Sequence, residues 1–276
     1  MVIERLWRRF RKEKWVRVRG QFWMLLDPQQ FTDKQILSRN GFEPTLTALL
    51  SALLKPGDAF IDVGAHKGYF SLLAAALVGA GGKVYSFDPD PRPVSGFLQN
   101  IQRNGFSNIR PHLLALSDKD GFMDFTLTNT LGNSSFYPNE LARKDTFSRL
   151  NAPCFRFDEL NLSVETSGNI VVKIDAEGAE YAVIEGMKGF LKKHKPVLVL
   201  EVNLPSLAAA GVQLARLDDL IRETGLTERL EMGSAEGRMT KLSSIAGVPA
   251  LLKATRSHYT NVLCSAEILP EFSRWL

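Results

Sequence analysis

The stretch Phe60-Ile61-Asp62-Val63-Gly64-Ala65-His66-Lys67-Gly68 decides the fold. It reads as an apolar strand, then a glycine-rich turn, then a helix beginning near Tyr69. Gly64 and Gly68 carry no side chain, so a ligand can lie against the backbone between them. The helix N-terminus beyond the turn favours a carboxylate or a phosphate. The glycine spacing is GxxxG. The dinucleotide fingerprint needs GxGxxG, and His66 stands where its second glycine belongs. No Gly-Lys-Ser/Thr follows, so the turn lacks a Walker phosphate loop.

Outward from this turn the chain alternates between two periodicities. Short apolar runs occupy Ala59–Val63, Lys83–Phe87, 109–116, Ile170–Ile174 and 197–202. Helix-like stretches at Tyr69–Val78, Pro91–Asn104, 179–192 and 214–224 lie between most of them. That alternation predicts an α/β fold with a doubly wound, mostly parallel sheet. Continuously apolar strands suit burial on both faces. A helix over 44–54 precedes the first strand, with Pro44 in its first turn. Gly121–Thr128 alternates and predicts an extra antiparallel strand. Residues 130–151 read as a loop over the sheet edge, and 257–265 as a last strand.

The 276 residues are 45% hydrophobic and 23% charged, which excludes a disordered or low-complexity chain. The longest nearly unbroken apolar run, 70–82, falls short of the roughly 20 residues that span a bilayer. Cys154 and Cys264 cannot form a disulfide framework or a cysteine-rich metal site, and a reduced, cytoplasmic setting is expected. The net charge of +4 is unevenly spread. Eight Lys and Arg face two Glu in residues 1–20, a net +6, which leaves about −2 for the rest. The body is therefore no basic nucleic-acid reader. Residues 1–21 read as a helical basic arm without a signal-peptide pattern, and 22–276 as one domain. The arm could meet an anionic surface; the plainer reading packs its aromatics on the body or on a second subunit.

Three further strand ends carry chemistry. The second ends in Ser86-Phe87-Asp88-Pro89-Asp90, with Asp88 20 residues beyond Gly68. An acid there is placed to accept hydrogen bonds from ribose hydroxyls. The third ends in Leu116-Ser117-Asp118, a short polar pair suited to an adenine amine. The fourth ends in Lys173-Ile174-Asp175-Ala176-Glu177-Gly178-Ala179-Glu180. Ligands in open α/β sheets bind outside the carboxyl ends of strands, so these acids suggest chemistry. Glu180 reads instead as a cap of the next helix.

These segments, in this order, resemble the FkbM family of S-adenosylmethionine-dependent methyltransferases. The carrying residues are GFEP (41–44), KPGDAFIDVGAHKGYFS (55–71), VYSFDPDP (84–91), ALSDKDG (115–121), VVKIDAEGAEYAVIEG (171–186) and PVLVLEVN (196–203). The likeness covers 22–203 and departs from the usual Asn at His66. It implies a Rossmann-like class I methyltransferase fold and O-methylation of a sugar, glycan or polyketide-like hydroxyl. It implies cofactor contacts from Glu43, Asp62, Gly64, Ala65, His66, Gly68, Asp88, Pro89, Ser117 and Asp118.

Methyl transfer to a hydroxyl is an in-line displacement that needs positioning and a proton acceptor. Asp175 is the first candidate for that acceptor or for orienting the hydroxyl, Glu177 the second and His258 the third. A divalent cation on Asp175, Glu177 and Glu201 is chemically open but not the favoured reading. A small-molecule or glycan acceptor is the expected partner, and a homo-oligomer is compatible. Competing readings are a nucleic-acid methyltransferase, favoured by the arm alone, and a catalytically degenerate cofactor binder.

Overall fold

The computed structural model describes residues 13–276 except 165, 167, 234–237 and 274. It opens with a hairpin of β1 (Lys14–Val18) and β2 (Phe22–Leu26), followed by α1 (Phe31–Arg39) and α2 (Pro44–Leu53). Then come β3 (Ala59–Val63), α3 (Tyr69–Val78), β4 (Lys83–Phe87), α4 (Pro91–Asn104), β5 (Ile109–His112), β6 (Ala115–Leu116) and β7 (Gly121–Thr128). After α5 (Glu140–Lys144) and β8 (Thr146–Phe155), the chain forms β9 (Ile170–Ile174), α6 (Glu180–Gly186), α7 (Lys188–His194) and β10 (Val197–Asn203). The last elements are α8 (Leu204–Ala209), α9 (Leu214–Glu223), β11 (Glu228–Met232), β12 (Met239–Lys241), α10 (Val248–Thr255) and β13 (Tyr259–Ser265).

The central sheet has the order β12-β11-β13-β10-β9-β3-β4-β5. Neighbours from β10 to β5 pair in parallel, whereas β13 is antiparallel to both β10 and β11. The chain runs outward through β4 and β5 on one side of β3, then returns to β9 and β10 on the other. The topological switch therefore falls between β3 and β9, where open α/β sheets bind ligands. One apolar core joins α2, α3 and β2 to a sheet face; a second joins α6, α7, α9 and α10 to the opposite face. The doubly wound, mostly parallel sheet expected from the sequence is present.

The differences lie at the margins. The arm expected over 1–21 is already a strand from Lys14, so its boundary cuts through a hairpin; residues 1–12 lie outside the described residues. The expected 130–151 loop holds α5 and most of β8, which pairs antiparallel with β7. The run 109–116 splits: β5 stays in the main sheet, and β6 joins β8 in a three-stranded sheet. The helix over 179–192 breaks at Met187 into α6 and α7.

The hairpin is fixed by asparagines one turn apart on α4. Asn100 Oδ1 accepts from the Leu25 amide (2.8 Å), and Asn104 Oδ1 from the Trp23 amide (2.7 Å). Asn100 Nδ2 donates to the Lys67 carbonyl (3.0 Å), so one buried side chain joins hairpin, helix and glycine turn. Asn100→Ala strands two of these groups without partners. It should destabilise the fold by about 1–3 kcal/mol, read as a lowered urea midpoint at unchanged slope.

Candidate active site

Phe60, Val84, Val171 and Val199 belong to one core. Side chains alternate along a strand, so two residues further on Asp62, Ser86, Lys173 and Glu201 point to the same face. The core thus turns polar at the carboxyl ends of β3, β4, β9 and β10. Asp62 lies opposite both Ser86 and Lys173, and Glu201 opposite Asn261 of β13.

A cavity of about 570 Å³ opens there, within the range of small-molecule sites. Its floor includes Gly64, Ala65, Asp88, Lys173 and Asp175; α1 and the 130–136 segment wall it. Lys67 Nζ bonds Asp33 of α1 (2.5 Å), tying that helix to the turn. Arg92 clamps Asp90 (2.6 Å) and donates to the Thr128 carbonyl (2.7 Å), which anchors the opposite wall. Asp33 and Lys67 went unread in the sequence, because a lone acid on a short helix gives no signal of its distant partner.

Of the predicted cofactor residues, Glu43, Gly64, Ala65, His66, Asp88 and Pro89 line this cavity. Asp62, Gly68, Ser117 and Asp118 do not. Asp62 lies behind the wall, accepting from Ser71 Oγ (2.5 Å), which also contacts Ser86 Oγ (2.8 Å). Ser117 is buried against α6, its amide bonded to the Phe155 carbonyl, and Asp118 is exposed. The glycines also serve differently from expectation. A Cβ on Gly64 would overlap the Asp175 carbonyl, and one on Gly68 the Phe97 ring. Their φ angles of +79° and +81° and this close packing require glycine before any ligand is considered.

Among the predicted catalytic residues, Asp175 and Glu177 line the cavity. His258 does not: it is exposed before β13, where its carbonyl accepts from the Leu204 amide (3.1 Å). Its neighbour Tyr259 reaches the cavity instead. Glu180 caps its own turn, accepting from the Ala176 and Gly178 amides (both 3.0 Å), as its sequence reading had it.

The electrostatics are lopsided. Lys67 and Arg92 are paired with Asp33 and Asp90, and Lys173 with Asp175 (3.1 Å). Glu43, Asp88, Glu177 and Glu201 also line the cavity and, among the described residues, have no cation within ion-pair distance. Burial and Asp175 push Glu43 up to about 7; burial with Asp175 and Glu180 pushes Glu177 up to about 8. Burial raises Asp88 to about 7, although the amides of His66 and Asp90 (both 2.8 Å) favour its charged form. Desolvation and the neighbouring Lys67 lower His66 to about 4, so it is neutral near pH 7. Glu43, His66 and Glu177 all have φ near +50°, a left-handed conformation uncommon outside glycine and often found at functional sites.

A Rossmann-like sheet with a polar cavity at its switch point is the arrangement of the class I methyltransferases. Residues 62–226 match the methyltransferase FkbM domain family, and the chain belongs to that family of S-adenosylmethionine-dependent methyltransferases. Over 122 residues it is 36% identical to the 31-O-demethyl-FK506 methyltransferase FkbM of Streptomyces tacrolimicus, covering 44% of this chain and 42% of that protein. The chain thus spans less than half the length of this curated relative. A protein-L-isoaspartate O-methyltransferase of Methanocella arvoryzae is 24% identical over 153 residues, covering 53% of this chain and 80% of the relative. The crystal structure of methyltransferase FkbM from Methylobacillus flagellatus KT superposes with a TM-score of 0.41 at 14% identity, over 78% of this chain and 47% of that one.

The cavity fits S-adenosylmethionine on its own chemistry. Asp33 Oδ1, His66 Nε2 and Glu201 Oε2 are buried without partners among the described residues, and all three residues line it. Surplus carboxylates complement a ligand that carries a sulfonium and an ammonium. Asp88, held at the β4 end by two amides, keeps lone pairs for a ribose diol. Asp88→Ala should weaken S-adenosylhomocysteine binding at least tenfold by calorimetry. In the unsubstituted protein that affinity should fall as pH drops through about 7, because protonation removes an acceptor; Asp88→Asn should flatten the profile.

Proposed function

We propose that the protein methylates a hydroxyl of a sugar, glycan or polyketide-like small molecule. The observation that carries this reading is the carboxylate cluster facing the same cavity as Asp88. Bound S-adenosylmethionine supplies an electrophilic methyl group. The chain's own part is to align the acceptor and take its proton.

Asp175 and Glu177 orient the hydroxyl, and Asp175 accepts that proton. Lys173 donates to Asp175 Oδ2 and Ser206 Oγ to Glu177 Oε2 (both 3.1 Å), which fixes the two carboxylates and leaves each a second oxygen. α1 and the 130–136 segment wall the same cavity.

The acidic lining speaks against a phosphate-bearing acceptor, since a polynucleotide entering the cavity would meet uncompensated carboxylates. The curated relative named for a demethylated oxygen substrate points the same way.

Asp175→Asn should lower turnover at least 100-fold while S-adenosylhomocysteine affinity stays within about threefold. Isotopically labelled methyl should enter hydroxylated small molecules or glycans rather than RNA. A normal rate in the variant, or label confined to RNA, would remove this reading.

A further inference from the structure

The cavity holds one carboxylate that takes no part in the proton transfer proposed above. Glu201 sits on β10 in the middle of the sheet, 7% exposed, and its Oε2 has no hydrogen-bond partner among the described residues. A carboxylate buried so deeply is expected to have an amide, a hydroxyl or a cation against it. Among the described residues none supplies such a group to that atom, and Glu201 lines the cavity.

Its surroundings point to what belongs there. One oxygen each of Asp175, Glu177 and Glu201 lies within 4.8 Å of the other two. Oxygens held at about 2.3–2.6 Å from a calcium-sized ion span separations up to about 5 Å. Lys173 engages only Oδ2 of Asp175, and Ser206 only Oε2 of Glu177. Among the described residues, no side-chain donor reaches Asp175 Oδ1 or Glu177 Oε1, so each carboxylate keeps an oxygen available for a ligand. Lys173 cannot serve all three, because it is already shared with Asp62 (3.9 Å).

We propose that Asp175, Glu177 and Glu201 together bind a divalent cation at the end of the cavity. An all-oxygen set of three carboxylates suits a hard ion such as magnesium, calcium or manganese, with the remaining positions open to water or a ligand oxygen. The binding stands on these residues alone. Its use rests on the methyl-transfer reading: an acceptor hydroxyl entering an open position would be more acidic, and its proton would pass to a water held at another open position as the methyl group arrives. Asp175 and Glu177 would then act on the acceptor through the ion, and acceptors with two adjacent oxygens would be preferred.

The probe is manganese(II) alone, titrated into the full chain without cofactor and followed by paramagnetic resonance and calorimetry. One site per chain is expected, competed by magnesium or calcium. Glu201→Gln and Glu177→Gln should each weaken it at least tenfold, with circular dichroism showing both variants folded. The exposed acid Glu140, changed to Gln, should leave it unaltered. Absence of a stoichiometric site, or equal affinity in both cavity variants, overturns the proposal. Displacement of manganese by S-adenosylmethionine also overturns it, because the carboxylates would then serve the sulfonium. S-adenosylhomocysteine titrated into the same samples keeps the readings apart. Binding of that thioether without a manganese site defeats the cation alone; a manganese site without thioether binding supports the cation and defeats the methyl-transfer reading.

Discussion

One buried ammonium holds the carboxyl end of the sheet together. Lys173 is 3% exposed, bonds Asp175, faces Asp62 and lies 5.3 Å from the centre of the Phe70 ring. Burial on its own would lower its pKa, but Asp175, Asp62 and Glu43 outweigh it and hold Lys173 above the ordinary lysine value. Losing one partner of a buried pair leaves an uncompensated charge, typically destabilising by about 3–5 kcal/mol. Lys173 is therefore what allows several acids to share this space.

That constraint propagates outward. Asp62, pulled towards Lys173, also takes the Ser71 hydroxyl, and Ser71 meets Ser86. The chain of contacts crosses β9, β3, α3 and β4, so the strand ends that present Asp175 and Asp88 are registered by one polar thread. Gly64 adds a steric requirement. The Asp175 amide donates to the Val63 carbonyl (3.1 Å), and only a residue without Cβ can follow at that separation. The switch point is tight because of its own packing, and the cavity opens beside it.

The parallel strands were legible because burial on both faces leaves uninterrupted apolar runs, and the turn residues between them are explicit. Ala59–Val63, Lys83–Phe87 and Ile170–Ile174 end where the pattern says they end. Asp88, Asp175 and Glu177 could be read because strand tips in such sheets converge whatever their spacing along the chain. Ser117 and His258 show the limit: an address at a strand end does not tell which way a side chain faces, and neither residue lines the cavity. The hairpin was illegible because its partners are Asn100 and Asn104, about 75–80 residues away. Lys67 and Asp33 are separated in the same way. The 146–155 strand was hidden by polar residues, since both of its faces look to solvent over 146–149.

The asparagines on α4 have one more effect. A two-stranded ribbon has outer edges on which amides and carbonyls ordinarily stand ready to pair with any passing strand, a familiar route to intermolecular association. On β2 that edge is already taken: the Trp23 amide and carbonyl and the Leu25 amide are all bonded to side chains of Asn100 and Asn104. A helix here imitates a neighbouring strand using two side chains, and this edge of the hairpin is closed to aggregation without a charge or a proline to guard it.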